Sequence, residues 1–266
     1  MTAPVHQVQI FSWKSRGPSA SGSRAIPEET AIALTYNGTT HAVMMATPQD
    51  LHDYALGFSL SEGQITSRHQ IKAVDIEEFG YGIDLRIWLD AQASAGFLDR
   101  RRHVIGPTGC GLCGVESLQA ANRPPRVVES RATFDAAMIR SAQNDMFHAQ
   151  KLHAQTSAVH AAGFWTADGG LLEVREDVGR HNALDKLVGA MARKDQPAAN
   201  GLLLLTSRIS VEMVQKAAVL GSPVVVAVSA PTALAVRTAD QVGITLVALA
   251  RDDGFEVFTH PQRILV

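Results

Sequence analysis

GLLLLTSRISVEMVQKAAVLGSPVVVAVSAPTALAVRTADQVGITLVALARDDG, residues 201 to 254, alternates between two textures. Gly201–Leu205, Pro223–Val228 and Ile244–Leu249 are continuous apolar runs of strand length. Val211–Leu220 and Thr232–Val242, between them, space their apolar residues as a helix does. A strand that is apolar at every position must be covered on both faces. That is the pattern of a parallel sheet between layers of helix.

Working outward, the same alternation continues upstream. Arg180–Met191 reads as a helix, and Val159–Trp165 and Leu171–Val174 as strands paired around Asp168-Gly169-Gly170. A long helical stretch runs from Phe134 to about Gln155. Before it the texture changes. Ala31–Tyr36 and Thr39–Met45 flank Asn37-Gly38, the signature of a type I′ hairpin. Pro48 opens a helix through Leu51, Tyr54, Ala55, Phe58 and Leu60 that ends near Gly63. Strands at about 72–78 and 82–89 complete an α+β lobe. The fold class is therefore α/β in three parts: a flexible leader over 1–27 with at most a short strand, an α+β lobe over 28–130, and an α/β domain over 131–266. No internal repeat is visible. Arg100-Arg101-Arg102-His103 is a basic run, read equally as a solvated helix end or an anion contact.

Composition bounds the function. The chain has 266 residues, is 46% hydrophobic and can bury a large core. A formal net charge of -2 gives no basic field for nucleic acid or anionic membrane. No apolar run approaches the roughly 20 residues of a membrane span, and the N-terminus has no signal-peptide pattern. The two cysteines lie too close together to staple a fold of this size, so the expected compartment is reducing, the cytoplasm.

Those cysteines, Cys110 and Cys113, are the only ones in the chain, and they sit in Thr108-Gly109-Cys110-Gly111-Leu112-Cys113-Gly114. A thiolate at a Cys-x-x-Cys before a helix has a depressed pKa, and Val115 to Ala120 reads as such a helix. The flanking glycines remove bulk and let another protein's cysteine or a ligand approach; they also disfavour two thiols packed as small hydrophobes. Three readings stay open. One is half of a zinc site, completed by ligands such as His103, His160, His181 or His260. The second is a dithiol redox centre, although it lies between lobes rather than early in a βαβ unit. The third is a sulfur-carrying cysteine that takes and passes a sulfane sulfur.

Glu176-Asp177-Val178-Gly179-Arg180-His181-Asn182-Ala183-Leu184-Asp185-Lys186 is the second dense segment. On a helix from Arg180, the residues Ala183, Leu184, Leu187, Val188 and Met191 form one apolar stripe. His181, Asn182, Asp185 and Lys186 fall on the other side, where Asp185 can orient the His181 imidazole one turn away. The bland reading of that side is a solvated face with ordinary ion pairs.

The apolar strands run into Thr206-Ser207-Arg208, Ser229-Ala230-Pro231-Thr232 and Arg251-Asp252-Asp253-Gly254. Ligands of open α/β sheets bind outside the carboxyl ends of the strands. There the following helices offer backbone N–H groups to phosphate, with Arg208 and Arg251 as countercharges. Asp252 or Asp253 can accept from a guanine-type N–H edge. Each hydroxyl taken singly also reads as a helix cap. No GxGxxG follows a strand and no GxxxxGK[ST] is present, which disfavours Rossmann and P-loop enzymes.

Taken together, Leu56-Gly57-Phe58-Ser59-Leu60-Ser61-Glu62-Gly63, the Cys110/Cys113 loop, Glu176 to Lys186, Ser207-Arg208-Ile209-Ser210-Val211-Glu212-Met213-Val214-Gln215-Lys216, Val228-Ser229-Ala230-Pro231-Thr232 and Thr259-His260-Pro261-Gln262-Arg263 resemble the FdhD family of formate dehydrogenase accessory sulfurtransferases. The likeness covers all but the leader. It implies a sulfur carrier that takes persulfide sulfur from a cysteine desulfurase. The sulfur then passes to bis-molybdopterin guanine dinucleotide molybdenum cofactor before that cofactor enters formate dehydrogenase. It further implies that Cys110 is the carrier with Cys113 assisting, and that Leu249, Ala250, Arg251, Asp252, Asp253 and Gly254 bind the cofactor, a role a guanine nucleotide would mimic. Ser207, Arg208, Ser229, Thr232 and His181 join them as candidate cofactor contacts. The implied fold is a homodimer whose C-terminal half is a cytidine-deaminase-like three-layer α/β/α domain. Deaminase chemistry itself is not expected, because His160-Ala161-Ala162 lacks the H-x-E glutamate and the Cys-x-x-Cys comes first. The rival from another class is a non-catalytic molybdenum-cofactor chaperone with a redox-sensitive dithiol. A nucleotide-binding regulatory dithiol protein is a third reading.

Overall fold

The computed structural model describes residues 2–15, 17–101, 126–251 and 253–265, with the backbone alone for 98–101. Cys110, Cys113 and Asp252 lie outside the described residues, as does the rest of the cysteine loop.

The N-terminal lobe is a four-stranded sheet backed by a helix. Strands β3 (Thr30–Tyr36) and β4 (Thr39–Ala46) form the expected hairpin. Asn37 and Gly38 both take positive φ, 46° and 80°, as a type I′ turn requires. The helix α1 (Leu51–Ser61) starts three residues after Pro48, because Asp50 at its N-cap sits in the left-handed region and breaks the first turn. Strands β5 (Ile71–Phe79) and β6 (Gly82–Leu89) follow, then α2 (Ala91–Arg101). The order is β4-β3-β6-β5, with β3 and β6 parallel. Ile32, Leu34, Ile83, Leu85 and Ile87 alternate toward α1 and bury against its Tyr54, Ala55 and Phe58. Phe97 of α2 completes this core.

The leader corrects the expectation of a flexible segment. It holds two eight-residue strands, β1 (Val5–Ser12) and β2 (Ala20–Pro27), paired from Val5↔Pro27 to Ser12↔Ala20. None of their residues is buried. Backbone pairing makes this hairpin rather than core packing, so the apolar pattern gave little sign of it.

The C-terminal part is a six-stranded sheet ordered β13-β12-β11-β10-β8-β9. Its strands are β8 (His160–Thr166), β9 (Gly170–Asp177), β10 (Gly201–Leu205), β11 (Val224–Ala227), β12 (Thr245–Arg251) and β13 (Gly254–Val257). Only β10, β11 and β12 form the expected parallel core; β8, β9 and β13 join antiparallel, so the sheet is mixed. Leu203 and Leu205 of β10 face the helices α5 (Arg180–Arg193), α6 (Val211–Leu220) and α7 (Ala233–Val242). Leu202 and Leu204 face the helix α3 (Ala136–Ala149) on the other side. Helices thus cover both faces. Phe134 and Ile264, from the short strands β7 (Phe134–Asp135) and β14 (Ile264–Leu265), close the α3 side.

The helix expected from Phe134 to Gln155 is two helices. Glu176 of β9 accepts from Leu152 N at 2.8 Å and His153 N at 2.7 Å, so a new helix, α4 (Lys151–Thr156), begins there. Among the described residues no helix is long and apolar enough to cross a membrane.

The two lobes meet backbone to backbone. A Cβ added at Gly57 of α1 would lie 1.7 Å from Asp185 O, and one at Gly189 of α5 would lie 1.8 Å from Asp53 O. Only glycine permits this crossing.

Candidate functional site at the strand ends

Strands β9, β10, β11 and β12 share one direction, so their carboxyl ends gather at one edge of the sheet. The turns after them are laced together. Val228 N donates to Leu205 O, Ile209 N to Ala230 O and Thr232 N to Ile209 O, at 3.0 to 3.3 Å. Leu249 N reaches Ser229 O at 3.5 Å. The starts of α5, α6 and α7 lie at this edge. Sequence-expected residues from four separate segments share this edge: His181, Ser207 and Arg208, Ser229 and Thr232, and Leu249, Ala250, Arg251, Asp253 and Gly254.

They differ in what they have free. Thr232 is spent as the cap of α7, its hydroxyl accepting from Ala235 N at 3.2 Å. Ser207 is buried and donates to Arg208 O at 3.1 Å. For these two hydroxyls, local structure is the observed role. Ala250 is buried, and its carbonyl accepts from Gln143 Nε2 at 2.7 Å. Leu249 lies in the left-handed region at φ 51°, inside a register shift between Ala248 and Arg251. Such an irregularity in a non-glycine residue re-aims the strand end and is common beside functional sites. Arg208, Arg251, Asp253 and Gly254 are exposed, and Ser229 is half-buried.

Gly179 caps α5 without a side chain, and Ser210 at the start of α6 makes no capping bond. At α5 no side chain caps the first-turn N–H groups, whereas at α6 the Glu212 carboxylate accepts from its own backbone N–H; the positive end of each dipole lies at the edge. Arg180 Nε and His181 Nε2 are buried atoms with no hydrogen-bond partner among the described residues. Burial first, then the charges of Arg180 and Lys216, push the His181 imidazole down to about 4, so the ring is neutral near pH 7. His160, opposite Asp177, is also lowered, by burial and by Arg180.

The segment from Glu176 to Lys186 does not present a solvated polar face. Asn182, Asp185 and Lys186 are at most 3% exposed. Lys186 Nζ lies 2.6 Å from Asp177 Oδ2 and donates to Thr47 O at 2.8 Å. Asn182 Nδ2 donates to Asp177 Oδ1 at 3.0 Å and to Met45 O at 2.9 Å, while Tyr54 donates to Asn182 Oδ1 at 2.9 Å. These bonds tie the C-terminal domain to β4, α1 and the loop between them. The expectation that Asp185 orients His181 is corrected as well. Asp185 is occupied by Lys216, at 2.8 and 3.0 Å, and Lys216 also donates to Glu62 at 2.8 Å.

The structure thus supplies residues to which the sequence reading gave no role: Lys216, Glu62, Asp53 and Arg175. Arg175 donates twice to Asp53, at 2.9 and 2.7 Å, and Arg193 donates to the same carboxylate at 2.8 Å. The signal was present. Lys216 sits among Met213, Val214, Ala217 and Ala218, and Asp53 among Leu51, Tyr54 and Ala55. A charge inside an apolar helical window marks a buried partner on another element.

The histidines offered for zinc do not assemble. His160 and His181 lie at the carboxyl edge, whereas His260 bonds the C-terminal end of α7 through Asp240 O at 3.0 Å, at the opposite edge. His103 is outside the described residues. Among the described residues no three His, Cys, Asp or Glu side chains cluster as for a metal ion.

Comparisons with known proteins bear on this arrangement. Residues 27–265 match the family model described as FdhD/NarQ family. A protein of Agrobacterium fabrum strain C58 named sulfur carrier protein FdhD is 52% identical over 252 residues, 94% of this chain and 93% of its own length. One of the same name from Cupriavidus necator H16 is 46% identical over 261 residues, 98% of this chain and 91% of its own. Among solved structures, a formate dehydrogenase accessory protein from Desulfotalea psychrophila superposes with a TM-score of 0.75 at 25% identity, over 99% of this chain and all of that one.

Proposed function

Because the chain belongs to the FdhD/NarQ family, we propose that it is a sulfur carrier serving formate dehydrogenase, with Cys110 as the carrying residue. The observation that carries this reading is the match, over more than nine-tenths of the chain, to proteins named sulfur carriers. The donor is a cysteine desulfurase. Cys110 thiolate attacks the terminal sulfur of the donor's persulfide, releasing the donor thiolate and forming Cys110–S–SH. The acceptor is bis-molybdopterin guanine dinucleotide molybdenum cofactor, held as substrate at the strand-end edge. Arg208 and Arg251 face its phosphates, and the uncapped start of α5 adds N–H donors. Cys113 then attacks the inner sulfur of the persulfide. Terminal sulfur leaves as sulfide toward molybdenum while the two cysteines close a disulfide, so the sulfane sulfur gains the two electrons that the thiols lose. An external thiol reduces the disulfide. The same reading puts the protein in the cytoplasm as a homodimer and makes formate dehydrogenase the recipient of the sulfurated cofactor.

Intact-protein mass spectrometry after incubation with a cysteine desulfurase and cysteine tests the first step. Wild type and Cys113→Ala gain sulfur, and Cys110→Ala does not. With an active desulfurase present, no gain on any variant would replace this reading with a cofactor chaperone. For the second step, Cys113→Ser loads sulfur but delivers it poorly; normal delivery would remove the disulfide-forming step.

A further inference from the structure

Lys216 occupies the junction of three segments. It is 5% exposed on α6, with its ammonium 2.8 Å from Glu62 and 2.8 and 3.0 Å from Asp185. Glu62 is the residue that ends α1 and belongs to the N-terminal lobe. Asp185 lies on α5 one turn beyond His181, and Lys216 lies on α6 one turn beyond Glu212. A ladder of titratable groups thus runs inward from the strand-end edge, with Glu212 and the neutral His181 at its rim and Asp185, Lys216 and Glu62 beneath. The Phe58 ring centroid, 5.9 Å from the ammonium, walls the site.

Stability alone gives little reason for an ammonium here, since well-packed apolar residues commonly replace a buried ion pair without loss. What it adds is direction, because it satisfies both carboxylates in only one placement of α1 against α5 and α6. That placement matters for the chain between Arg101 and Arg126, whose two ends are pinned to different lobes. On one side Phe97 of α2 is buried in the N-terminal core, its ring 5.0 Å from that of Tyr36. On the other, Val128 is buried in the C-terminal core, its N–H bonded to Val242 O at 2.8 Å.

We propose that Lys216 is a positioning residue for sulfur delivery: by bridging Glu62 to Asp185 it fixes the N-terminal lobe against the strand-end edge where the acceptor binds. The proposal rests on the sulfur-carrier reading above. It separates two steps, because loading from a desulfurase needs only the cysteine, whereas delivery needs both lobes in register.

The test uses the full chain as Lys216→Met/Asp185→Asn, which removes a charge of each sign, beside Lys216→Arg, which keeps the cation. The double variant loads sulfur from the desulfurase within about twofold of wild type but delivers it roughly 10-fold or more slowly, the cost of a misplaced reacting group. Lys216→Arg restores most of the delivery. Histidine NMR reads the electrostatic side. The groups facing the imidazole are Arg180, Lys216, Glu212 and Glu62, and loss of Lys216 raises the His181 midpoint while Lys216→Arg leaves it low. Should the double variant not fold, Glu62→Gln cuts only the N-terminal side of the clamp and carries the same loading and delivery expectations. Wild-type delivery by a folded double variant or by Glu62→Gln overturns the proposal, as does a His181 midpoint that does not move when Lys216 is lost. A wild type that takes up no sulfur sinks the carrier reading and this proposal together, and is thereby told apart from a failure of the clamp alone.

Discussion

Two regions of the molecule draw on the same residue types and use them in opposite ways. At the crossing of α1 and α5, Lys186, Lys216, Asp177, Asp185 and Asp53 are buried, and each has a partner within 3.0 Å. At the strand ends, Arg208 and Arg251 stand exposed, and Arg180 Nε and His181 Nε2 are unpartnered among the described residues. The motif from Glu176 to Lys186 feeds both regions, with Gly179, Arg180 and His181 at the edge and Asp177, Asn182, Asp185 and Lys186 at the lobe interface. A buried charge is tolerable only when paired. Pairing marks the interface as structural; the proposed function places its ligand at the edge, where these polar atoms have no partner among the described residues.

The largest expected effect breaks the interface. Lys186→Met leaves Asp177 charged and buried, and should cost about 3–5 kcal/mol of stability by chemical denaturation. A loss below about 1 kcal/mol, the range of an exposed pair, would mean that the interface resembles the edge after all. Gly189→Ala comes next. Its methyl would meet the backbone of α1 at 1.8 Å, so the helices must part, at roughly 3 kcal/mol. Unchanged stability would show that the crossing is looser than the structure draws it.

How much of this contrast the sequence displayed depends on what each element buries. Strand β10 and helix α6 were legible to the residue, because Gly201–Leu205 and Val211–Leu220 bury apolar surface in regular periods. The leader hairpin was not, because none of its residues is fully buried. The face of α5 was misread for a related reason. Periodicity separates apolar from polar, and a polar stripe gives the same signal whether it meets water or another lobe's charges. Only a second element with matching charges in an apolar setting, Asp53 and Lys216 here, could have disclosed the interface. The edge was legible as a set of strand ends, but the sequence could not show that Thr232 and Ser207 are spent on local bonds while Arg208 is left exposed.

A third effect lies on the boundary between the regions and depends on pH. Burial and neighbouring cations hold folded His181 at about 4, against an ordinary 6.5. As pH falls through that window the unfolded chain takes a proton that the folded protein refuses, so His181 removes stability on acidification. Burial raises Asp185 from 3.8 to about 6, with Lys216 opposing. There the folded protein takes the proton first, and acidification from about 6 toward 3.8 adds stability. The two offset each other in wild type. His181→Gln leaves only the second, so on going from pH 7 to pH 5 the variant should gain about 2 kcal/mol relative to wild type. Urea denaturation at both pH values reads this, and parallel profiles would show that His181 titrates as a solvent-exposed histidine does.

The smallest effect on stability should come from the edge itself, and it sharpens the comparison most. Arg208 is exposed, so Arg208→Ala should change stability by no more than about 0.5 kcal/mol. If the strand ends hold the guanine dinucleotide's phosphates, the same change should weaken guanosine diphosphate binding about 10-fold, the worth of one charge-assisted contact. Lys186→Met, measured under conditions where it stays folded, should do the reverse, losing stability while keeping most of its nucleotide affinity. Calorimetric titration of the two variants tests the division directly. Equal weakening by both would mean that the buried pairs serve nucleotide binding as much as the strand ends do, and that structural pairing and ligand recognition are not divided between the two regions. Weakening by Arg208→Ala alone would place the phosphate contacts at the strand ends and leave the buried charges the task of holding the two lobes in register.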